Sequence, residues 1–164
     1  MKICYLNHDK SLSTGAGNFY NSFSSAVKKT IPNVQIEVLT SETLLYPNKI
    51  KLLLVLPAIR RVIKNCDIIH ALDGWPYGVI AAIANIGIKK PLIITAIGTG
   101  AVQSLHSWWR RPVLKWAYKK ANAVIAVSRN TKKEILKFLP DLKIEVINHG
   151  VDVVKFSRFA RSGE

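Results

Sequence analysis

Cysteine, acidic residues and long apolar runs are all scarce in this sequence of 164 residues. The two cysteines, Cys4 and Cys66, form no C-x-x-C motif, which favours buried reduced thiols over a disulfide framework. The longest apolar run, Leu52–Ile59, is far shorter than the roughly 20 residues that cross a bilayer. The N-terminus has one lysine and few apolar residues before Asn7, which is not typical of a signal peptide. We therefore expect a cytoplasmic chain.

The shortage of acidic residues gives the chain a strong positive charge. There are 24 Lys and Arg against 10 Asp and Glu, a formal net charge of +14. Such a surface favours polyanions: nucleic acid, anionic lipid headgroups or phosphorylated substrates. The sequence lacks a helix-turn-helix, RNP or zinc signature and scatters its charge over several predicted helices, which disfavours nucleic acid. No metal site is predicted.

Strand-like and helix-like segments alternate along the chain. The predicted strands are Lys2–Leu6, Val34–Leu39, Ile68–Ala71, Leu92–Ala96, Ala123–Val127 and Ile144–Ile147. The predicted helices are Ala16–Thr30, Lys49–Asn65, Gly78–Ile86, Pro112–Lys120 and Asn130–Phe138, with a long loop over Ile97–Arg111. This alternation predicts an α/β fold with a doubly wound, mostly parallel, Rossmann-like sheet of about six strands.

Polar and glycine residues follow most of the predicted strands, at the edge where such sheets bind ligands. A glycine pair, Gly15 and Gly17 around Ala16, opens the first helix, where backbone N–H groups could approach an anion. Tyr20 occupies the place of the third glycine of G-x-G-x-x-G, which argues against an NAD site. A flexible turn is the alternative interpretation of this segment.

The last third of the sequence carries the most specific pattern. A strand ends in Val127-Ser128, a helix follows, and the next strand leads into Gly150-Val151-Asp152 and Phe156. This order resembles the end of the N-terminal domain of family 4 (group 1) glycosyltransferases of GT-B fold. The segments Asp67–Asp73 and Pro91–Gly100 are similar to two further motifs of that family, with Leu72 and Ile97 in place of its histidines.

The resemblance implies how the chain is divided. Residues 1–156 would form the N-terminal, acceptor-side domain, and residues 157–164 a hinge or C-terminal tail. The resemblance implies that the donor-binding C-terminal domain would lie outside these residues, so the chain alone is expected to be inactive and to hold no cofactor. With its partner domain, it would move a sugar from a nucleotide-sugar to a hydroxyl acceptor with retention and without a bound metal.

The resemblance also implies site residues. Gly15, Ala16 and Gly17 would approach the donor phosphate or the acceptor, and Ser128, His149 and Gly150 would line the cleft near the hinge. The acceptor cleft would comprise His70, Asp73, Gly98 and Thr99. His70 could equally be a structural histidine at the end of an apolar strand, and Asp73 could cap the following helix instead of binding sugar hydroxyls.

Two basic segments suggest where the protein docks. Indole rings beside cations suit a membrane interface. The candidate residues are Arg60, Arg61, Lys64, Trp108, Trp109, Lys115, Trp116 and Lys119. We therefore expect a peripheral protein at the inner membrane face with a lipid-linked or cell-envelope glycan as acceptor. The alternatives are a solvated lysine face, a non-catalytic module that pairs with a separate partner, and a basic nucleic-acid-binding protein.

Overall fold

The computed structural model describes residues 1–44 and 49–150, in which strands alternate with helices. The strands are β1 (Lys2–Leu6), β2 (Gln35–Leu39), β3 (Ile68–Ala71), β4 (Leu92–Ala96), β5 (Ala123–Ala126) and β6 (Ile144–Val146). The helices are α1 (Gly15–Thr30), α2 (Lys49–Lys64), α3 (Val79–Ala84), α4 (Gly98–His106), α5 (Arg110–Lys120) and α6 (Arg129–Leu136). A single π-helical turn, Gly74–Gly78, directly precedes α3.

The strands form one sheet in the order β2-β1-β3-β4-β5-β6, and every pairing is parallel. The chain runs outward from β1 to β2 and then crosses to β3 on the other side of β1. The order therefore reverses between β1 and β3, which is where ligands bind in open parallel sheets. The predicted doubly wound α/β fold is confirmed.

Both faces of the sheet are covered, as the β-branched strand sequences require. In β1 the side chains alternate between two apolar clusters: Cys4 and Leu6 belong to the larger one, and Ile3 and Tyr5 to the smaller one against α1. Cys4 and Cys66 are buried free thiols, in agreement with the prediction.

The predicted long loop over residues 97–111 is wrong, because Gly98–His106 is helix α4. Ala101 and Leu105 are fully buried in the larger core cluster, so burial of one face stabilises the helix despite its two glycines. Gly100 is required for packing: a Cβ there would overlap the carboxylate of Asp73 and approach the backbone O of Trp75 to 2.6 Å. A glycine that reads as a loop signal here permits close contact between two elements.

Helix α2 contains Pro57 and packs one face on the core through Ile59 and Ile63. Its Leu54 is 76% exposed. Within residues 1–44 and 49–150, none of the helices is long and apolar enough to cross a membrane.

Some sequence predictions fall on residues that the structure does not describe. The Val151, Asp152 and Phe156 positions of the family pattern and the tail over residues 157–164 lie outside the described residues.

Candidate functional site

A pocket of about 320 Å³ lies at the carboxyl edge of the sheet, at the point where the strand order reverses. We call it the carboxyl-edge pocket. Its lining residues come from the loops after β1, β3, β4 and β6 and from the start of α1: Asn7, His8, Gly15, Ala16, Phe19, Leu72, Asp73, Tyr77, Ile97 and His149. Segments far apart in the sequence thus converge on one concave site.

The loop before α1 is held by a short chain of hydrogen bonds. Thr14 donates its hydroxyl to the Asp9 carboxylate (2.7 Å) and accepts the backbone N–H of Gly17 (2.9 Å), so it is the N-cap of α1. The buried amide of Asn7 donates to the backbone O of Asp9 and of Ala16 at 2.8 and 3.1 Å. The loop is therefore fixed against the helix that it precedes.

Of the three residues predicted to approach phosphate, the structure places two at the pocket. Gly15 and Ala16 line it, and within the described residues no hydrogen bond occupies their backbone N–H groups. These groups form the positive end of the α1 dipole. Gly17 is buried below the loop instead, where a Cβ would overlap the backbone of Ser11, and its N–H is already bonded to Thr14. Gly17 therefore shapes the loop and does not reach the pocket.

Asp73 brings a carboxyl group into the pocket from the end of β3. Its Oδ1 accepts the backbone N–H of Gly74 at 2.6 Å, which makes Asp73 the cap of the π-helical turn. Burial raises the pKa of Asp73 from 3.8 to about 7, although the N–H groups of Gly74 and Ile97 favour the charged form. Near neutral pH this side chain can therefore accept or donate a proton.

His8 and Tyr77 form a polar pair in the pocket wall that the sequence analysis did not assign to the site. His8 Nδ1 lies 2.9 Å from the hydroxyl of Tyr77. His8 Nε2 lies 3.8 Å from Asp9, with which it can pair when protonated. The position of His8 directly after β1 is enough to predict that it lies at this edge of the sheet. Tyr77 reaches the pocket through a helical turn that the sequence pattern does not predict.

His149 closes the pocket on the β6 side. Its ring centroid lies 4.3 Å from that of Phe19 on α1, and burial lowers the pKa of His149. The described chain ends at Gly150, one residue beyond, which is exposed. The structure thus places His149 in the same pocket as Gly15 and Ala16.

His70 lies outside the pocket, against aromatic residues of the smaller apolar cluster. Its Nε2 lies 2.7 Å from the hydroxyl of Thr95, and its ring lies 5.3 Å from Tyr5 and 5.5 Å from Phe23. Burial lowers the pKa of His70 to about 4, so it is neutral at physiological pH. This geometry is that of a structural histidine, the alternative interpretation given above, and His70 does not line the pocket.

Three other predicted site residues lie near this edge without lining the pocket. Gly98 and Thr99 are in the first turn of α4, and Ile97 before them is the residue that reaches the pocket. Ser128 is the N-cap of α6, where its hydroxyl accepts the backbone N–H of Thr131 at 3.0 Å.

The basic residues of α2 are only partly available to a docking partner. Arg60 donates two hydrogen bonds of 2.8 Å to the backbone O of Ala84 and of Ile86, at the C-terminus of α3. It therefore tethers α3, whereas Arg61 and Lys64 are exposed.

The tryptophans of the second basic segment differ in exposure. Trp108 is 84% exposed. Trp109 packs edge-on against Trp75, with ring centroids 5.5 Å apart, and the Arg110 guanidinium lies over both rings. Lys119 is exposed and Lys115 is half-buried.

One membrane-surface candidate on α5, Trp116, needs a correction. Trp116 is half-buried and packs against the larger core cluster. The fully buried side chains of α5 are Leu114, Ala117 and Tyr118, whereas Val113 is 37% exposed.

Within the described ranges, no group of three or more His, Cys, Asp or Glu side chains could hold a metal ion.

Comparison with known proteins gives one family match. The model of Glycosyltransferase Family 4 matches residues 18–155, which begins just after the glycine loop. A search of curated protein sequences found no significant match.

Among solved structures, the chain is similar to HepE of Anabaena. It matches the crystal structure in complex with UDP at a TM-score of 0.64 and 18% identity, covering 99% of this chain and 50% of that one. The match to the complex with UDP and glucose has a TM-score of 0.62 at 18% identity and the same coverage. The match to the UDP-glucose complex has a TM-score of 0.58 at 17% identity, covering 99% of this chain and 49% of that one. The chain thus spans about half the length of these structures and has the fold of one half of a GT-B glycosyltransferase.

Proposed function

This chain belongs to Glycosyltransferase Family 4, and we propose that it is the acceptor-side half of a retaining transferase that moves a sugar from a nucleotide-sugar to a hydroxyl group. The observation that carries the proposal is the carboxyl-edge pocket at the reversal of strand order, beside the free N-terminus of α1. It is open on one side, as half of a cleft between two lobes would be. A second, donor-binding lobe completes it.

In this proposal the N-terminus of α1 binds negative charge on the donor. The N–H groups of Gly15 and Ala16 donate to phosphate oxygens of the nucleotide-sugar, and the helix dipole favours the charge that develops on the leaving diphosphate. Gly15 has no side chain, and no described atom lies within 4 Å of its Cβ position. A phosphate can therefore approach the backbone closely.

Asp73, His8 and Tyr77 orient the acceptor. The Asp73 carboxylate accepts a hydrogen bond from the attacking hydroxyl, and its pKa near 7 lets it take up the proton as the new bond forms. The Tyr77 hydroxyl, held at 2.9 Å by His8, binds a neighbouring sugar hydroxyl. Ile97 supplies an apolar wall to this part of the pocket.

The first donor to test is a uridine diphosphate sugar, because the structures of Anabaena HepE contain UDP and UDP-glucose. We expect no transfer from residues 1–164 alone with radiolabelled UDP-glucose and a panel of glycan acceptors. Fusion to the donor-binding lobe of a relative should produce transfer, since the missing half supplies most donor contacts. Measurement is by labelled product and by the anomeric configuration in its NMR spectrum. Vigorous transfer by the isolated chain, or an inverted product, would contradict the proposal.

We also place the protein at the inner face of the membrane, with a lipid-linked or cell-envelope glycan as acceptor. The net charge of +14 and the exposed Trp108, Arg61, Lys64 and Lys119 support this placement. Each basic residue near an anionic surface contributes about 1 kcal/mol to binding.

Vesicles and DNA separate the membrane proposal from its alternatives. The chain should sediment with phosphatidylglycerol vesicles, and Arg61→Glu with Lys64→Glu should weaken this binding at least about 30-fold, since two basic residues are lost. Duplex DNA should bind weakly, with an affinity that falls steeply with salt. Charge reversal of Lys28 and Lys29 on α1 is the matched control. DNA binding tighter than vesicle binding at 150 mM salt would refute the placement.

A further inference from the structure

A larger pocket of about 500 Å³ lies at the opposite, amino edge of the sheet. We call it the amino-edge pocket. It is bounded by the end of α3, the turn that leads into β4, the end of α5 and the residue before β5: Ala82, Asn85, Ile86, Gly87, Lys89, Lys90, Leu92, Trp116, Lys120 and Asn122. Its volume falls within the range of small-molecule sites. Of these residues, only Leu92 lies within a motif of the family pattern used above.

The pocket is positively charged. Lys89, Lys90 and Lys120 line it, and no carboxylate does. Within the described residues, none of these three ammonium groups forms an ion pair. Three unpaired cations around one concavity repel each other, and a bound anion relieves that repulsion.

The turn that presents two of the lysines is held in a defined conformation. Lys89 has φ of 60° and Gly87 has φ of 76°, both in the left-handed region. A lysine rarely adopts this backbone conformation without support. The Asn85 side chain provides it, donating to the backbone O of Lys90 at 2.7 Å and accepting its N–H at 2.9 Å. The backbone at Lys89 and Lys90 is thus held in place before any ligand binds.

Negative groups near the pocket are already satisfied. A helix C-terminus carries partial negative charge, which would oppose an anion. At the end of α3, however, Arg60 covers the backbone O of Ala84 and Ile86. The Asn122 carboxamide oxygen accepts the N–H of Leu92 at 2.9 Å. The lysines therefore dominate the local potential.

We propose that the amino-edge pocket binds a phosphate ester whose phosphate contacts Lys89, Lys90 and Lys120 and whose adjoining apolar group packs on Trp116 and Ile86. Trp116 is half-buried with its ring in the pocket wall, and Ile86 is 56% exposed. The same chemistry is found in a soluble phosphorylated metabolite and in the headgroup region of an anionic phospholipid. The site does not depend on the proposed transfer reaction, since it lies at the other end of the strands.

Phenyl phosphate is the soluble probe, and binding is measured by calorimetry on the full chain. Lys89→Gly and Lys120→Ala should each weaken binding about fivefold, the loss of one partly exposed charge pair. Lys89→Gly also removes the strain of a left-handed backbone, so the thermal stability of this variant should equal or exceed that of the native chain. A loss of binding in this variant then cannot be due to a loss of folding. Lys133→Ala on α6 removes an exposed lysine elsewhere and should leave affinity unchanged.

Fluorescence and vesicles complete the test. Phenyl phosphate should alter tryptophan emission in the native chain, and Trp116→Phe should abolish the change while Trp108→Phe does not. In a parallel arm, the lysine variants are measured on phosphatidylglycerol vesicles. A selective effect there identifies the lipid headgroup as the source, and an effect confined to phenyl phosphate identifies a soluble ester. The proposal would be overturned if Lys133→Ala lost as much binding affinity as the pocket variants, or if the chain bound neither probe.

Discussion

A Gly15→Val variant is expected to fold like the native chain and to lose about 100-fold in transfer rate when joined to a donor-binding lobe. The reason is geometric. Gly15 lines the carboxyl-edge pocket, and its Cβ position is empty, with no described atom within 4 Å. A Cβ there meets no described atom within 4 Å, and the two methyl groups beyond it extend into the space that a phosphate needs. The measurements are the rate of sugar transfer at saturating acceptor and the midpoint temperature of thermal unfolding.

The matched comparison is Gly17→Ala, two residues along the same helix. A Cβ at this position overlaps the backbone O of Ser11 and approaches its N to 2.6 Å. Overpacking of this kind costs about 1–3 kcal/mol. We expect Gly17→Ala to lower the thermal midpoint and Gly15→Val to leave it unchanged. A Gly15→Val protein with full activity would remove the α1 N-terminus from the proposed mechanism.

Replacing Asp73 with asparagine is expected to abolish a pH dependence of stability. The native pKa of Asp73 is about 7, against 3.8 in the absence of burial. The folded state therefore binds more protons than the unfolded state between these two values, and the free energy of unfolding falls as the pH rises from 4 to 7. Allowing for partial exposure of the side chain, the loss is about 2 kcal/mol.

The experiment is urea unfolding of both proteins at several pH values from 4 to 8. The difference between native and Asp73→Asn stability should change between pH 4 and 7 and level off towards pH 8. Asp141→Asn, an exposed acid after α6, is the control and should parallel the native curve. In the fused enzyme, Asp73→Asn should also lower the transfer rate, since the amide cannot accept the proton. A native curve that runs parallel to Asp73→Asn would show that burial does not perturb this carboxyl.

The sequence predicted the strands well, because a buried parallel strand needs a short β-branched apolar run and tolerates little else. The bounds of β3 and β4 agree with the prediction to the residue. The strand ends then located the pocket, since parallel strands bring their carboxyl ends to one edge. Gly15, Asp73 and His149 meet there for that reason.

Helix α4 was missed because its information is not local. Gly98 and Gly100 are poor helix formers, and only the contact of Gly100 with Asp73 and Trp75 explains them. That contact joins residues about 25 positions apart, so no pattern within a short window reports it. The prediction for Trp116 was wrong for the same reason: a helical wheel does not report that this side chain also packs against the larger core cluster.

The different roles of Gly15 and Gly17 also could not be predicted from the sequence. Gly15 and Gly17 are equivalent in any motif, yet one faces the pocket and the other lies under the Ser11 backbone. The fold of the loop, set by Asp9 and Thr14, makes the distinction.

The direction of β6 has a consequence for how two lobes would cooperate. This strand ends at Val146, and His149 reaches the rim of the carboxyl-edge pocket three residues later. Any segment joined after this point starts at the mouth of the cleft. A short linker there holds a donor-binding lobe at an effective concentration of about millimolar. Covalent linkage should therefore rescue catalysis far better than mixing separate halves, and lengthening the linker should erode turnover gradually.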